Sequence, residues 1–149
     1  MRLLIAISAA MLAIATSIAP AQAAERIGGD NAFSFVALGD MPYNLPDDYA
    51  KFDRLIAAVN ALKPAFTLHV GDIKSGALPC SDEVLKKSYD QIQTFEGALV
   101  YTIGDNEWVD CHRKAAGGYN PRERLTRLRE IFFAAPTKSL GKTPLDVES

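Results

Sequence analysis

Three apolar runs in this chain end on the same dipeptide at nearly equal spacing. Gly39-Asp40 closes the run Phe33 to Leu38, Gly71-Asp72 closes Ala65 to Val70, and Gly104-Asp105 closes Ala98 to Ile103. From Asp40 to Asp72 is 32 residues, and from Asp72 to Asp105 is 33. That period holds one strand, one loop and one helix, so it predicts successive parallel strands joined by right-handed crossovers. Parallel strands finish on one edge of their sheet. Ligands of open α/β sheets bind outside those carboxyl ends, where each glycine permits a sharp turn and each aspartate is left in a shared crevice. Three gathered carboxylates repel one another unless a cation neutralises them. The expected fold class is α/β, successive βα units forming a parallel sheet, with a hard divalent-metal site at Asp40, Asp72 and Asp105. The competing reading is a set of structural Gly-Asp turns closed by Asx hydrogen bonds.

The segments between the runs read as helices. Pro46 with Asp47-Asp48 is a helix start, and Tyr49, Phe52, Leu55, Ile56, Val59 and Leu62 follow at helical spacing before Pro64. Ser81 is the expected N-cap of a helix through Phe95, with Val84, Leu85, Ser88, Ile92 and Phe95 on one face and Gly97 as its stop. Asn120-Pro121 opens a last helix to about Ala134, and its arginines 122, 124, 127 and 129 read as a solvated face. The strands, being almost wholly apolar, read as covered on both faces. From Thr137 to Ser149 no periodicity is visible, and that tail is expected to be unstructured or cut short.

The first residues read as an export signal. Arg2 precedes the apolar run Leu3 to Ile18, and Ala21-Gln22-Ala23 has the pattern of a cleavage site, so residues 1–23 are expected to be removed and the product periplasmic or secreted. The run is too short and Ala-rich for a stable membrane anchor. Without Arg2 the chain keeps 15 basic against 18 acidic residues, and the basic ones are dispersed, which argues against nucleic-acid binding. Cys80 and Cys111 both fall in the exported part, a few residues after a strand-end aspartate, and are expected to pair.

The segment Gly104 to Arg113 is the densest in functional groups, with Asp105, Asn106, Glu107, Trp108, Asp110, His112 and Arg113 following the third strand. Lys74, in the second loop, is a candidate contact for an anionic substrate. His69, one residue before the second turn, reads as a structural or supporting residue more than as a ligand.

The order Gly-Asp, then Gly-Asp, then Gly-Asp-Asn-Glu at these spacings resembles the first three motifs of the calcineurin-like metallophosphoesterase family, over residues 33 to 134. The resemblance implies a sandwich of two sheets flanked by helices, of which this chain would supply the first half. It also implies divalent metal ions (Mn, Fe, Zn or Mg) that activate a water against a phosphate ester. Carried over position by position, Asp40 would bind one metal, Asp72 would bridge two, and Asp105 stands where the family has an asparagine ligand. Asn106 occupies the place of the histidine that assists the leaving group, and Pro42 that of a histidine ligand. An asparagine is no general acid at neutral pH, which leaves that role to His112 or Asp110 if either folds back. Asn106, His112 and Arg113 are the candidate catalytic residues, Arg113 as a phosphate clamp, and Glu107 is expected to orient substrate or a ligand. No histidine follows His112, so the family's later histidine ligands have no counterpart here, and a missing C-terminal half of the domain is expected. The sequence thus supports two functions: an exported metal-dependent phosphoesterase acting on mono- or diesters, or a non-catalytic exported binding module on the same fold.

Overall fold

The computed structural model describes residues 31–148, so the expected leader, residues 1–23, lies outside the described residues. Three strands, β1 (Val36–Leu38), β2 (Thr67–His69) and β3 (Leu99–Tyr101), form one parallel sheet in the order β1-β2-β3. Val36, Thr67 and Leu99 share one register row, and Leu38, His69 and Tyr101 another. The strands are shorter than the apolar runs that announce them. Their flanks, Ala65 and Val70 among them, still bond to the neighbouring strand, through Ser34 and Leu38.

Helix α1 (Asp47–Leu62) carries Asp47 and Asp48 in its first turn and ends at Lys63, whose left-handed backbone (φ 48°) precedes Pro64. Helix α2 (Asp82–Ile92) starts on Ser81, whose side chain accepts the Val84 N–H at 3.4 Å. It stops three residues short of Phe95, because Thr94 and Phe95 turn back on Gln91 and Ile92. Helix α3 (Pro121–Phe132) is capped by Asn120, which accepts the Arg122 N–H at 2.9 Å, with Pro121 in its first turn.

With the strand order unbroken, crossovers of one hand put their helices on one face of the sheet. The larger of two hydrophobic clusters among the described residues agrees with this. It joins Phe52, Ile56 and Val59 of α1, Leu85 and Ile92 of α2, and Leu128 and Phe132 of α3 to Leu99 and Tyr101 of the sheet. Val36, Leu38 and Ile103 pack against it, half-buried. Among the described residues the strands are covered on one face only, so the cover expected on both faces is half present, in keeping with the expected missing half of the domain. On the second face Phe33 (69% exposed), Phe35 (51%) and Val70 (48%) meet solvent, and Leu68 and Val100 are half-buried. Phe35 stacks on Phe66 at 5.1 Å between ring centres, a small aromatic cluster that partly shields itself.

Two further expectations change. The tail 137–148 contains no helix or strand, but it is not loose: Leu140 is buried and exchanges both backbone hydrogen bonds with Leu99, each 2.8 Å, along the outer edge of β3. The arginines of α3 are not all solvated. Arg124 is buried, stacks on the Tyr119 ring at 4.7 Å, and bonds Asp82 at 2.7 Å and the Cys80 carbonyl at 3.0 Å, tying α3 to the start of α2.

Candidate functional site

The loops that leave β1, β2 and β3 meet at the carboxyl edge of the sheet. Asp40 (φ 57°) and Asp72 (φ 55°) both have left-handed backbone, a conformation that costs a non-glycine residue on the order of 1 kcal/mol. Surrounding bonds hold it. The Asp40 N–H donates to the Gly71 carbonyl at 3.2 Å, and the Gly71 N–H donates to His69 Nδ1 at 3.2 Å. Gly71 (φ 91°) lies so close to the third turn that a Cβ on it would stand 2.2 Å from the Gly104 nitrogen. A Cβ on Gly104 would stand 2.2 Å from Asp72 Oδ1. Both glycines are there for close approach.

Glu107 fixes the turns from inside. Its Oε1 accepts the N–H of Asp72 (3.1 Å), the N–H of Gly104 (2.9 Å) and the hydroxyl of Tyr101 (2.6 Å). It is fully buried, so of its two expected roles, orienting substrate or a ligand, burial leaves the supporting one, fixing the turn that carries Asp72. Burial pushes its carboxyl above the ordinary range, against the pull of the Tyr101 hydroxyl and the Gly104 amide. Lys74, a candidate substrate contact, is 0% exposed and donates to the carbonyls of Ser75 and Leu78, both at 3.1 Å. Burial lowers its pKa while Glu107 and Asp110 hold it up. It is a buried counter-charge to the carboxylates. His69 is also buried, between the rings of Phe52 and Tyr101. With Nδ1 accepting from Gly71, its hydrogen sits on Nε2, which has no partner among the described residues. Burial lowers its pKa to about 4.

Two of the aspartates, Asp40 and Asp72, share a residue that the sequence reading passed over. The hydroxyl of Tyr43 donates to Asp40 Oδ1 at 3.0 Å, lies 3.4 Å from Asp72 Oδ2, and accepts from Asn106 Nδ2 at 3.2 Å. Burial, then the hydrogen bond to Asp40 and the charge of Asp72, push its pKa above the usual tyrosine range. The Asp72 carboxyl is pushed up by burial and by the charges of Asp105 and Asp40, although the Asn106 N–H, bonded to Oδ1 at 3.1 Å, lowers it. Only the spacing in Asp40-Met41-Pro42-Tyr43 carried a signal for this residue: a long side chain three positions after the first aspartate, at the head of the loop.

Asn106 belongs to this group, and Arg113 lies beside it. Arg113 Nη1 pairs with the buried Asp110 at 2.7 Å. A Cβ on Gly76 would come within 2.7 Å of both Arg113 Nη1 and Asn106 Oδ1, and 2.3 Å of Asp110 Oδ2, so these three side chains close over bare backbone. His112 is exposed and its Nδ1 sits 2.7 Å from the Val109 carbonyl, and Asp110 is taken up by Arg113. His112 is thus turned to its own loop, whereas Asp110 does come to lie beside Asn106, paired with Arg113. The expected disulfide joins Cys80 to Cys111, both buried, and both sulfurs lie against the Asn106 carbonyl, at 3.7 and 3.8 Å. It binds the second loop to the third.

As a donor set, three carboxylates, a phenol and an amide suit a hard divalent cation. Among the described residues, however, no group of three or more His, Cys, Asp or Glu side chains is positioned to hold a metal ion. A phenol hydrogen occupies the ground between the carboxylates. A hollow of about 450 Å³ lined by Val59, Asn60, Pro64, Thr67 and Phe95 lies at the opposite, amino-terminal edge of the sheet and takes no part in this chemistry. Among the described residues no helix is long and apolar enough to cross a membrane. Comparisons with protein families, with curated proteins and with solved structures found no match.

Proposed function

We propose that this chain belongs to an exported, metal-dependent phosphoesterase acting on phosphate mono- or diesters. The observation that carries the reading is the delivery of Asp40, Asp72 and Asp105 to one edge of the sheet by three strand-end turns, with Asp72 near enough to the other two for their charges to raise its pKa. Those three carboxylates would hold the cation, whose chemistry when bound is to activate water and to neutralise charge on phosphate oxygens. Asn106 would orient the ester through its amide. Arg113, half exposed beside it, offers a forked donor to a phosphate oxygen while Asp110 keeps it in place. Glu107 and the disulfide hold the second and third loops in fixed relation, which is the positioning such a reaction needs. The disulfide also suits an oxidising, periplasmic or extracellular location.

Hydrolysis of an aryl phosphate with and without added Mn²⁺, by the chain and by Asp72→Ala, tests the reading. Cation-dependent turnover that Asp72→Ala abolishes supports it, and equal rates in the two reject it. One observation favours the second reading, a non-catalytic binding module: Asn106 cannot act as a general acid, His112 turns to Val109, and Asp110, beside Asn106, is paired with Arg113. Stoichiometric cation binding without turnover on any phosphate ester would decide for it.

A further inference from the structure

We propose that the Cys80–Cys111 bridge is a redox latch under a closed cover made by Tyr119 and Arg124. A thiol reductant reaches the sulfurs only when the first turn of α3 lets go of the second loop, and reduction in turn frees the third loop at Asn106. The inference goes beyond the phosphoesterase reading and does not depend on it.

Both cysteines are 0% exposed. With Ala116 they form a small apolar cluster apart from the main core, and the half-buried Tyr119 packs against it. The Tyr119 ring is clamped. A Cβ on Gly117 (φ 107°) would stand 2.4 Å from Tyr119 Cε2, so the ring lies over bare backbone, and the Arg124 guanidinium lies 4.7 Å from its centre. Arg124 is the fastening. Its Nη1 donates to the Cys80 carbonyl at 3.0 Å and to Asp82 Oδ1 at 2.7 Å, and its Nε donates to Glu123 Oε2 at 2.6 Å. One side chain of α3 therefore holds both the ring over the bridge and the peptide of a bridged cysteine. Beneath it the Cys80 N–H donates to the Ala116 carbonyl at 3.0 Å, and the Tyr119 N–H to the Cys111 carbonyl at 2.8 Å. A segment fastened in this way opens locally at less cost than the whole fold.

Exchange needs a thiolate at a sulfur. One thiolate of a dithiol attacks one cysteine sulfur, the bridge breaks, and the other cysteine leaves as a thiolate. The second thiol then attacks the mixed disulfide and releases the first cysteine, so two electrons pass to the bridge and the dithiol departs as a cyclic disulfide. The closed cover leaves no approach for the first step. What the bridge restrains lies next to it: both sulfurs touch the Asn106 carbonyl, and the Asn106 N–H holds Asp72 Oδ1 at 3.1 Å. Slack in the third loop therefore passes to the second turn.

The test is reduction of the folded full chain by excess dithiothreitol at fixed pH, with aliquots alkylated and weighed to follow the bridge. Arg124→Met removes the guanidinium and keeps an apolar stem. It is expected to speed reduction about tenfold, the order of effect of losing one hydrogen bond from a charged group. Tyr119→Leu, which removes the ring, is expected to speed it as well. Ile56→Val trims the main core and lowers global stability, yet is expected to reduce at the wild-type rate, because opening is local. Equal acceleration by Ile56→Val and Arg124→Met would mean that reductant arrives through global unfolding, and overturns the cover. Wild-type rates in both Arg124→Met and Tyr119→Leu overturn it too. Hydrogen exchange reads the latch itself: after reduction the Asn106 amide is expected to exchange faster, while that of Thr67, bonded to Ala98 inside the sheet, stays as it was. Unchanged exchange at Asn106 would show that reduction frees nothing and would reject the latch.

Discussion

Glu107 reaches across 35 residues of sequence to accept the backbone N–H of Asp72. The same oxygen serves Gly104 and Tyr101, so one buried carboxylate satisfies three donors from two strand ends. Glu107→Ala would leave those donors buried without an acceptor, and each such loss costs about 1 to 3 kcal/mol. Glu107→Gln keeps an oxygen in place. Urea denaturation should show a loss of about 3 kcal/mol or more for Ala and clearly less for Gln. Equal losses would mean that packing, and not acceptance, is what Glu107 provides.

His69 gives the protein an acid limit. Its pKa is 6.5 when unfolded and about 4 when folded. Between those values the unfolded chain binds a proton that the native chain does not, so stability falls as pH drops from 6.5 to about 4 and is level in this respect below that. The difference amounts to about 3 kcal/mol. Asp72 and Glu107, whose folded pKa values are raised, act in the opposite sense in the carboxylate range. Comparison with His69→Gln isolates the histidine, because the variant should lose the slope between pH 6.5 and 4 that the wild type shows.

The disulfide joins positions 31 residues apart. Closing a loop of that length contributes roughly 3 to 4 kcal/mol in the chain-entropy model. Mass spectrometry of native, alkylated protein should find no free thiol. The paired substitution of both cysteines by serine should lower the denaturation midpoint and weaken cation binding as well, since the sulfurs lie against the Asn106 carbonyl. Unchanged cation binding would show that the bridge supports the loops only.

The bare face of the sheet should be detectable in solution. Phe33, Phe35 and Val70 are exposed on it, and each such side chain forgoes roughly 1.5 to 3 kcal/mol of burial. The purified chain is expected to bind a hydrophobic dye and to self-associate as its concentration rises. Phe35→Ser should reduce both without lowering the melting temperature, because Phe35 lies outside the core formed by the helices. A monodisperse monomer indifferent to the dye would count against this.

Much of the architecture was legible because it rests on period and punctuation. The Gly-Asp spacing announced three parallel strands, Ser81 and Asn120 marked helix starts, and the two cysteines lay in loops that the topology brings together. That one face would lie open was expected from the missing second half of the domain, but which side chains it would show was not legible. Phe35 and Ala37 face solvent while Val36 and Leu38 face the helices, yet all four are apolar, so alternation carried no contrast. Burial of Lys74 and Arg124 also escaped notice, because a charged residue reads as solvated until carbonyls and carboxylates arrive from distant segments. Tyr43 escaped for a related reason: its partners, Asp72 and Asn106, are 29 and 63 residues away.

The near-collision of Gly71 with Gly104 gives the site the character of a caliper. Two turns that touch main chain to main chain have no side-chain padding between them, so the gap between the carboxylates that follow, Asp72 and Asp105, is set by peptide planes. Substitutions elsewhere can change what fills that gap, but hardly how wide it is. A methyl group on either glycine would act as a shim, prising the second loop from the third and altering the bite of the pair without touching a carboxylate.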